Sequence, residues 1–111
     1  MDIKRNREHF RGCFLGGAIC DALGYPVEFM SYKEILRVYG IHGITDLDKK
    51  GKDKAEISDD TQMTIFTVEG VLRADTRWGI RGLCHMPTIV YYSYIRWLHT
   101  QEIVCEEKSL P

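Results

Sequence analysis

The chain lacks a marked excess of charge and lacks a long apolar run, and each absence excludes a class of function. Its 15 Lys and Arg residues nearly balance its 16 Asp and Glu residues, which gives a formal net charge of -1. A balanced charge offers no electrostatic attraction for nucleic acid or for an anionic membrane. No stretch approaches the roughly 20 apolar residues of a membrane-spanning helix. We therefore expect neither a membrane protein nor a general nucleic-acid binder.

Cysteine is sparse and shows no recognisable pattern. The four cysteines are Cys13, Cys20, Cys84 and Cys105. They contain no Cys-x-x-Cys pair, which is the usual sign of a zinc site or a thiol redox motif. Two disulfides are arithmetically possible, but the chain is not rich in cysteine, so we expect reduced thiols in a cytoplasmic protein. The short apolar stretch after the basic N-terminus ends at Asp21, which does not favour an export signal.

The sequence also lacks internal repeats and β-hairpin signals, and the predicted fold class is all-α. At 111 residues it forms one domain at most. The apolar spacing and the capping signals predict four helices. Their expected ranges are about 7 to 24, a short segment after the capping box Ser31–Glu34 that ends at Gly40, 59 or 61 to about 74, and 88 to about 100. The segment 75–79 is expected to break the third helix, and 41–57 to form a long surface loop. Trp78 and Trp97 are expected in the core.

The most informative stretch is Ser58-Asp59-Asp60-Thr61, which precedes an apolar run and so predicts the start of a helix. Asp at a helix start commonly caps the free amides, but two Asp between two hydroxyls exceed what a cap needs. Carboxylate and hydroxyl oxygens are also the ligands of hard cations such as Mg²⁺, Mn²⁺ or Ca²⁺. The residues alone leave capping and metal binding both open.

A second unusual segment lies upstream, where Asp21 interrupts an apolar helix that is rich in small residues. A buried charge is costly unless it is paired, so we expect Asp21 to bind a neighbouring helix terminus or an Arg rather than to act in catalysis. Gly12, Gly16 and Gly17 lower helix propensity, which predicts close approach of another backbone or of a ligand. Glu28 follows a turn, and taken alone it would be interpreted as a solvated surface residue.

Taken together, the two segments resemble the N-terminal motifs of the ADP-ribosylglycohydrolase family. The run GAICDALGYPVEF, residues 17–29, is similar to a family pattern of roughly G-x-x-x-G-D-A-L-G-x-P-x-E, with Cys20 in place of the glycine before the Asp. The run SDDTQMT, residues 58–64, resembles the second motif, S/T-D-D-T-x-M. The run YIRWLHTQ, residues 94–101, is similar to a segment of bacterial members. The resemblance covers nearly the whole chain in the family's order.

The resemblance implies an all-α fold with a binuclear Mg²⁺ site, and an enzyme that releases ADP-ribose from a modified side chain or a related conjugate. Carried over to this sequence, Ser58, Asp59 and Asp60 would be metal ligands. Glu28 and Asp60 would be the catalytic carboxylates, and Asp21 would brace the glycine-rich helix. The metals would bind the ribose hydroxyls and orient a water for attack on the anomeric carbon.

The chain departs from the family pattern in one large respect. The family completes its metal site with a late D-x-D-T motif, and no such motif occurs in these 111 residues. Residues 1–111 therefore resemble the N-terminal part of such a domain, and we expect the chain alone to be inactive or weakly active. A homo-oligomer or a partner chain would then supply the missing half. The alternatives are a non-catalytic helical interaction module and a generic helical domain whose carboxylates are only caps.

Overall fold

The computed structural model describes residues 6–101, and within that range the chain is helix and loop without a strand. The helices are α1, Arg7–Gly24; α2, Tyr32–Tyr39; α3, Asp59–Arg81; and α4, Met86–Thr100, with a short 3₁₀ turn over Tyr25–Val27. The chain divides into two compact units, Met1–Thr61 and Gln62–Pro111. The all-α prediction is confirmed.

The first unit contains α1, the 3₁₀ turn and α2, and local capping explains where its helices begin. Asn6 caps α1 by accepting a hydrogen bond from the backbone N–H of His9 at 3.0 Å. The predicted capping box of α2 is present, since Glu34 accepts from the Ser31 N–H at 2.8 Å and Ser31 Oγ accepts from the Glu34 N–H at 3.4 Å. Gly40, at φ 83°, ends α2 as predicted.

The second unit contains most of α3 together with α4, which run antiparallel. The indole Nε1 of Trp97 donates to Gln62 at 3.0 Å near the start of α3. Further along α3, the hydroxyl of Thr67 lies 2.7 Å from the hydroxyl of Tyr94 in α4. These contacts join residues that lie early in α3 to residues late in α4. They fix the register of the pair.

The predicted break at 75–79 is wrong, because α3 continues to Arg81. The segment contains no proline, and Thr76 satisfies its hydroxyl within the helix by donating to the Leu72 carbonyl at 2.9 Å. The helix instead ends at Gly82, whose φ of 64° is left-handed and whose N–H donates to the Trp78 carbonyl at 2.8 Å. A glycine at a positive φ is therefore a stronger signal for the end of a helix than a cluster of polar residues. The start of α4 at Met86 lies two residues before the predicted one.

The apolar core within residues 6–101 is thin. Only Ala22 and Ala74 are buried apolar side chains there. Trp78 is 60% exposed, so its predicted place in the core is wrong. An added Cβ at Gly12 or Gly16 would meet nothing within 4 Å, so no described backbone approaches that face of α1.

Two further predictions bear on the chain's surroundings. Cys13, Cys20 and Cys84 are free thiols as expected, whereas Cys105 lies outside the described residues. Over residues 6–101, no helix combines the length and the apolar character needed to cross a membrane.

Candidate active site

Asp21 is the centre of a hydrogen-bond network that ties α1 to the start of α3. Its Oδ2 accepts from the Ser58 N–H at 2.9 Å, and its Oδ1 accepts from the Ser58 hydroxyl at 2.6 Å. The Thr61 hydroxyl also donates to Oδ2. The expectation that Asp21 binds a neighbouring helix terminus is confirmed, and its partners are the two hydroxyls that flank the Asp pair.

These bonds keep the Asp21 carboxylate ionised. Burial raises its pKa, but the hydrogen bonds from Ser58 and Thr61 outweigh that effect, so the pKa lies below the ordinary value of an aspartate. An ionised carboxylate can only accept hydrogen bonds. Both hydroxyl protons are therefore directed toward Asp21.

Ser58 is buried, and its hydroxyl has a defined orientation. Its Oγ accepts from the Asp60 N–H at 3.1 Å, which makes Ser58 the cap of α3. A hydroxyl oxygen has one proton and two lone pairs. With the proton given to Asp21 and one lone pair given to Asp60, one lone pair is left for an external ligand.

A pocket of about 300 Å³ opens beside this network. Its lining residues come from the end of α1, the following turn and the start of α3: Cys20, Asp21, Gly24, Tyr25, Glu28, Ser58 and Asp60. The structure thus brings together three of the four site residues predicted from the sequence. Asp59 is exposed and does not line the pocket, because adjacent residues of a helix point in different directions.

Glu28 reaches the pocket through the 3₁₀ turn that follows α1. Pro26 lies inside this turn, and Glu28 caps it with its N–H donated to the Tyr25 carbonyl at 3.3 Å. The side chain of Glu28 is exposed. The turn thus brings Glu28 to the pocket that Asp21 also lines.

A loop contact next to the site was not predicted from the sequence. The Tyr39 hydroxyl donates to Asp48 at 2.6 Å, and Lys50 Nζ donates to the Pro26 carbonyl at 3.3 Å. Lys50 itself has a positive φ of 46°, which is rare for a residue with a side chain. The long loop 41–57 is therefore tied both to α2 and to the turn that carries Glu28. Its turn-rich composition gave no sign of these partners.

The ADP-ribosylglycohydrolase family matches residues 2–111 of the chain. This chain is a member of that family. An ADP-ribosyl-[dinitrogen reductase] glycohydrolase of Rhodospirillum rubrum is 46% identical over 55 residues, which is 49% of this chain and 19% of the relative. An uncharacterized protein of Archaeoglobus fulgidus is 36% identical over 66 residues, which is 59% of this chain and 22% of the relative. No solved structure gives a significant match.

The match covers about a fifth of the length of these two relatives. The pocket at Asp21 and Ser58 combines both motifs on which the resemblance rests. We therefore treat it as the candidate active site of this chain.

The side-chain oxygens at the start of α3 are of the type that binds Mg²⁺. Ser58 keeps one lone pair, and the carboxylate of Asp59 has no partner among the described residues. With Asp60, the start of α3 presents oxygen donors only, which hard cations prefer. The number is smaller than a binuclear centre requires, since no group of three or more His, Cys, Asp or Glu suited to a metal occurs within residues 6–101. The residues fit part of a Mg²⁺ site.

Proposed function

We propose that this chain forms the N-terminal part of the site of a Mg²⁺-dependent glycohydrolase. Its substrate would be an ADP-ribosylated protein or a related ADP-ribose conjugate. The observation that carries the proposal is the pocket in which Asp21 orients Ser58 beside Glu28 and Asp60. The name of the Rhodospirillum rubrum relative, a glycohydrolase acting on an ADP-ribosyl protein, supports the substrate class.

Ser58, Asp59 and Asp60 are the residues that would hold the Mg²⁺. When bound, the metal supplies positive charge that binds ribose hydroxyls and favours the ionised form of a water. Asp21 does not contact the metal in this proposal. It holds the Ser58 proton, so that the remaining lone pair of Ser58 Oγ points away from Asp21.

Glu28 and Asp60 are the proposed catalytic carboxylates. The reaction adds water across the glycosidic bond: the water oxygen bonds to the anomeric carbon, and the bond from that carbon to nitrogen or oxygen breaks. One carboxylate takes a proton from the water, and the leaving group gains a proton. Glu28 is suited to proton exchange because it is exposed on the pocket wall and has access to water.

The chain alone is proposed to be inactive or weakly active. Two adjacent carboxylates and one hydroxyl leave most of the ligand positions of two Mg²⁺ ions to water, which lowers affinity and preorganisation. A second copy or a partner chain would supply the missing carboxylates. A cytoplasmic location is proposed on the three free thiols that the structure describes.

Calorimetric titration of the 111-residue protein with MgCl₂, and then with ADP-ribose in the presence of MgCl₂, tests the proposal. We expect weak Mg²⁺ binding, and ADP-ribose binding that disappears when EDTA removes the metal. The double substitution Asp59→Ala/Asp60→Ala should abolish both signals. Asp53→Ala/Asp75→Ala is the matched control, since it removes two other exposed carboxylates and should leave both signals unchanged.

The outcomes separate the parts of the proposal. ADP-ribose binding that survives EDTA and the Asp59→Ala/Asp60→Ala substitution would contradict the assigned metal site. Release of ADP-ribose from an ADP-ribosylated protein by the isolated chain with MgCl₂ would contradict its proposed inactivity. Absence of all binding would favour the second candidate.

That second candidate is a non-catalytic interaction module that keeps the family's fold. The observation in its favour is the number of large apolar side chains exposed on α1, among them Phe10, Leu15 and Ile19. Exposed apolar patches of this kind mark interaction surfaces. A stable oligomer whose mass does not change with MgCl₂ or EDTA, combined with no calorimetric signal, would support this alternative.

A further inference from the structure

A groove of about 800 Å³ runs between α3 and α4 in the second unit, and none of its lining residues belongs to the candidate active site. The wall from α3 extends from Glu69 to Arg81, a span of about 18 Å at 1.5 Å per residue. The wall from α4 carries Ile89, Tyr92 and Arg96. The groove is therefore about as long as three turns of a helix.

Two parallel rows of side chains on α3 line this groove. One row is largely apolar and consists of Leu72, Thr76 and Ile80, at intervals of four residues. Leu72 is 62% exposed and Ile80 is 77% exposed. The neighbouring row carries Arg73, Arg77 and Arg81 at the same interval. Each row repeats at the spacing that keeps side chains on one helical face.

The charges of the groove do not cancel. Glu69 pairs with Arg73 and with Arg96, so one carboxylate serves two guanidinium groups. Arg77 and Arg81 have no acidic partner within residues 6–101. The lining therefore combines four guanidinium groups with one carboxylate, which gives an excess of positive charge beside the apolar row of α3.

We propose that the α3–α4 groove docks an acidic amphipathic helix of another polypeptide. The apolar face of such a helix would cover Leu72, Ile80 and Ile89, and its flanking Glu or Asp side chains would pair with Arg77 and Arg81. This is the helix-in-groove mode of recognition, in which apolar anchors give affinity and flanking charges select the partner. The proposal does not depend on the glycohydrolase function.

Charge disfavours a second copy of this chain as the occupant through the same face. A two-fold interface would place this lining, with its excess of positive charge, against the identical lining of the other copy. Like charges in an interface are repulsive and select against that pairing. An occupant with the opposite sign of charge is required.

The test uses two synthetic 18-residue helical peptides with a fluorescent label. Both carry Leu at i, i+3, i+4 and i+7 spacing; one has Glu at the flanking positions and the other has Lys. We expect fluorescence anisotropy to show at least tenfold tighter binding of the Glu peptide to the full chain. Added NaCl should weaken that binding, because exposed charge pairs are screened.

Substitutions then assign the binding to the groove. Arg77→Glu/Arg81→Glu should reverse the preference, so that the Lys peptide binds more tightly. Ile80→Asp should weaken both peptides, and Arg37→Glu/Lys54→Glu, which changes two exposed cations of the first unit, should alter neither. Circular dichroism checks that the helix content of each variant is unchanged.

Three results would overturn the proposal. The first is equal binding of the two peptides or no binding of either. The second is a preference for the Glu peptide that persists in Arg77→Glu/Arg81→Glu. The third is self-association in sedimentation velocity that Ile80→Asp abolishes, since the groove would then be covered by a second copy of the chain.

Discussion

At the scale of single residues, the side chains that organise the site differ from those that attract attention in the sequence. The sequence leaves the Asp pair open between capping α3 and binding metal. The structure assigns the cap to Ser58, which accepts from the Asp60 N–H and donates to Asp21. A bracing role for Asp21 is predictable because a charge in an apolar helix needs a partner. The partners could not be identified in advance, since they lie 37 and 40 positions away in the sequence.

A second ionised carboxylate, Glu69, does not stand out in the sequence. It accepts from the Ser93 hydroxyl at 2.6 Å and pairs with Arg96 and Arg73. Hydrogen bonds from Ser93 and Arg96 lower the pKa of Glu69 to about 2. A Glu on a helix with an Arg four positions later resembles any surface pair. Only the packing of α4 against α3 reveals that Ser93 is fully buried and needs this acceptor.

The Glu69 cluster predicts a specific loss of stability in acid. Its folded pKa of about 2 lies below the unfolded value of about 4.5, so its contribution is complete above pH 4.5 and is lost as the pH falls toward 2. At pH 7 we expect Glu69→Gln to lower the free energy of unfolding by about 1 kcal/mol, a value reduced for solvent screening. Urea unfolding between pH 7 and pH 2 measures the difference.

The control is Glu56→Gln, which removes one partner of an exposed ion pair with Lys52. Exposed pairs of this kind contribute little, so this substitution should have almost no effect at any pH. A difference between Glu69→Gln and the wild type that stays constant from pH 7 to pH 2 would show that the ionised form of Glu69 is not the source of the stability.

At the scale of helices, the capping signals predict boundaries well and the polar clusters predict them badly. The capping box at Ser31 and the glycine at position 40 locate α2 correctly, because each acts within one helical turn. The polar segment 75–79 does not break α3, since polar residues on an exposed helix face only need solvent. The left-handed Gly82 marks the true end of α3.

The packing of α4 on α3 depends on Gly70, a position that the sequence does not distinguish from other helix glycines. A Cβ at this position would lie 2.7 Å from Ser93 Oγ and 3.0 Å from Val90 Cα. Ser93 cannot easily move, because it is bonded to Glu69 and Arg96. Close approach of the two helices therefore requires a residue without a side chain.

We predict opposite effects for two glycine-to-alanine substitutions in α3. Gly79→Ala should raise the free energy of unfolding by about 0.5–1 kcal/mol, because alanine has the better helix propensity and an added Cβ meets nothing within 4 Å. Gly70→Ala gains the same propensity but must separate α3 from α4, so we expect a net loss of stability. Urea unfolding of both variants provides the measurement, and a stabilised Gly70→Ala protein would contradict the proposed close contact.

At the scale of the whole molecule, the family could be recognised from two motifs, while the extent of the apolar surface could not. Apolar spacing predicts which residues share a face, but it does not say whether anything covers that face. Phe10 and Leu15 lie within α1, as the predicted helix requires, and both side chains are exposed. No residue at positions 6–101 buries them. Apolar periodicity therefore predicts where the helices lie, but it does not predict which of their apolar side chains are buried.

The exposed apolar surface leads to a prediction about which side chains stabilise the chain itself. Ile41 is 83% exposed, whereas Ile35 on α2 is partly buried, and its Cγ2 lies 3.7 Å from the position that a Cβ would take at Gly43. Ile35→Ser should lower the free energy of unfolding by about 1–2 kcal/mol, because folding removes part of the Ile35 side chain from water. Ile41→Ser should change it by less than about 0.5 kcal/mol, while reducing the fluorescence of a bound apolar dye such as 1-anilinonaphthalene-8-sulfonate.

Thermal and urea unfolding give the comparison of Ile35→Ser with Ile41→Ser, and dye titration measures the exposed apolar surface. If Ile41→Ser destabilised the chain as much as Ile35→Ser, Ile41 would be buried in solution by a contact within the chain or between copies. A concentration series would decide which, because only a contact between copies makes the loss depend on protein concentration.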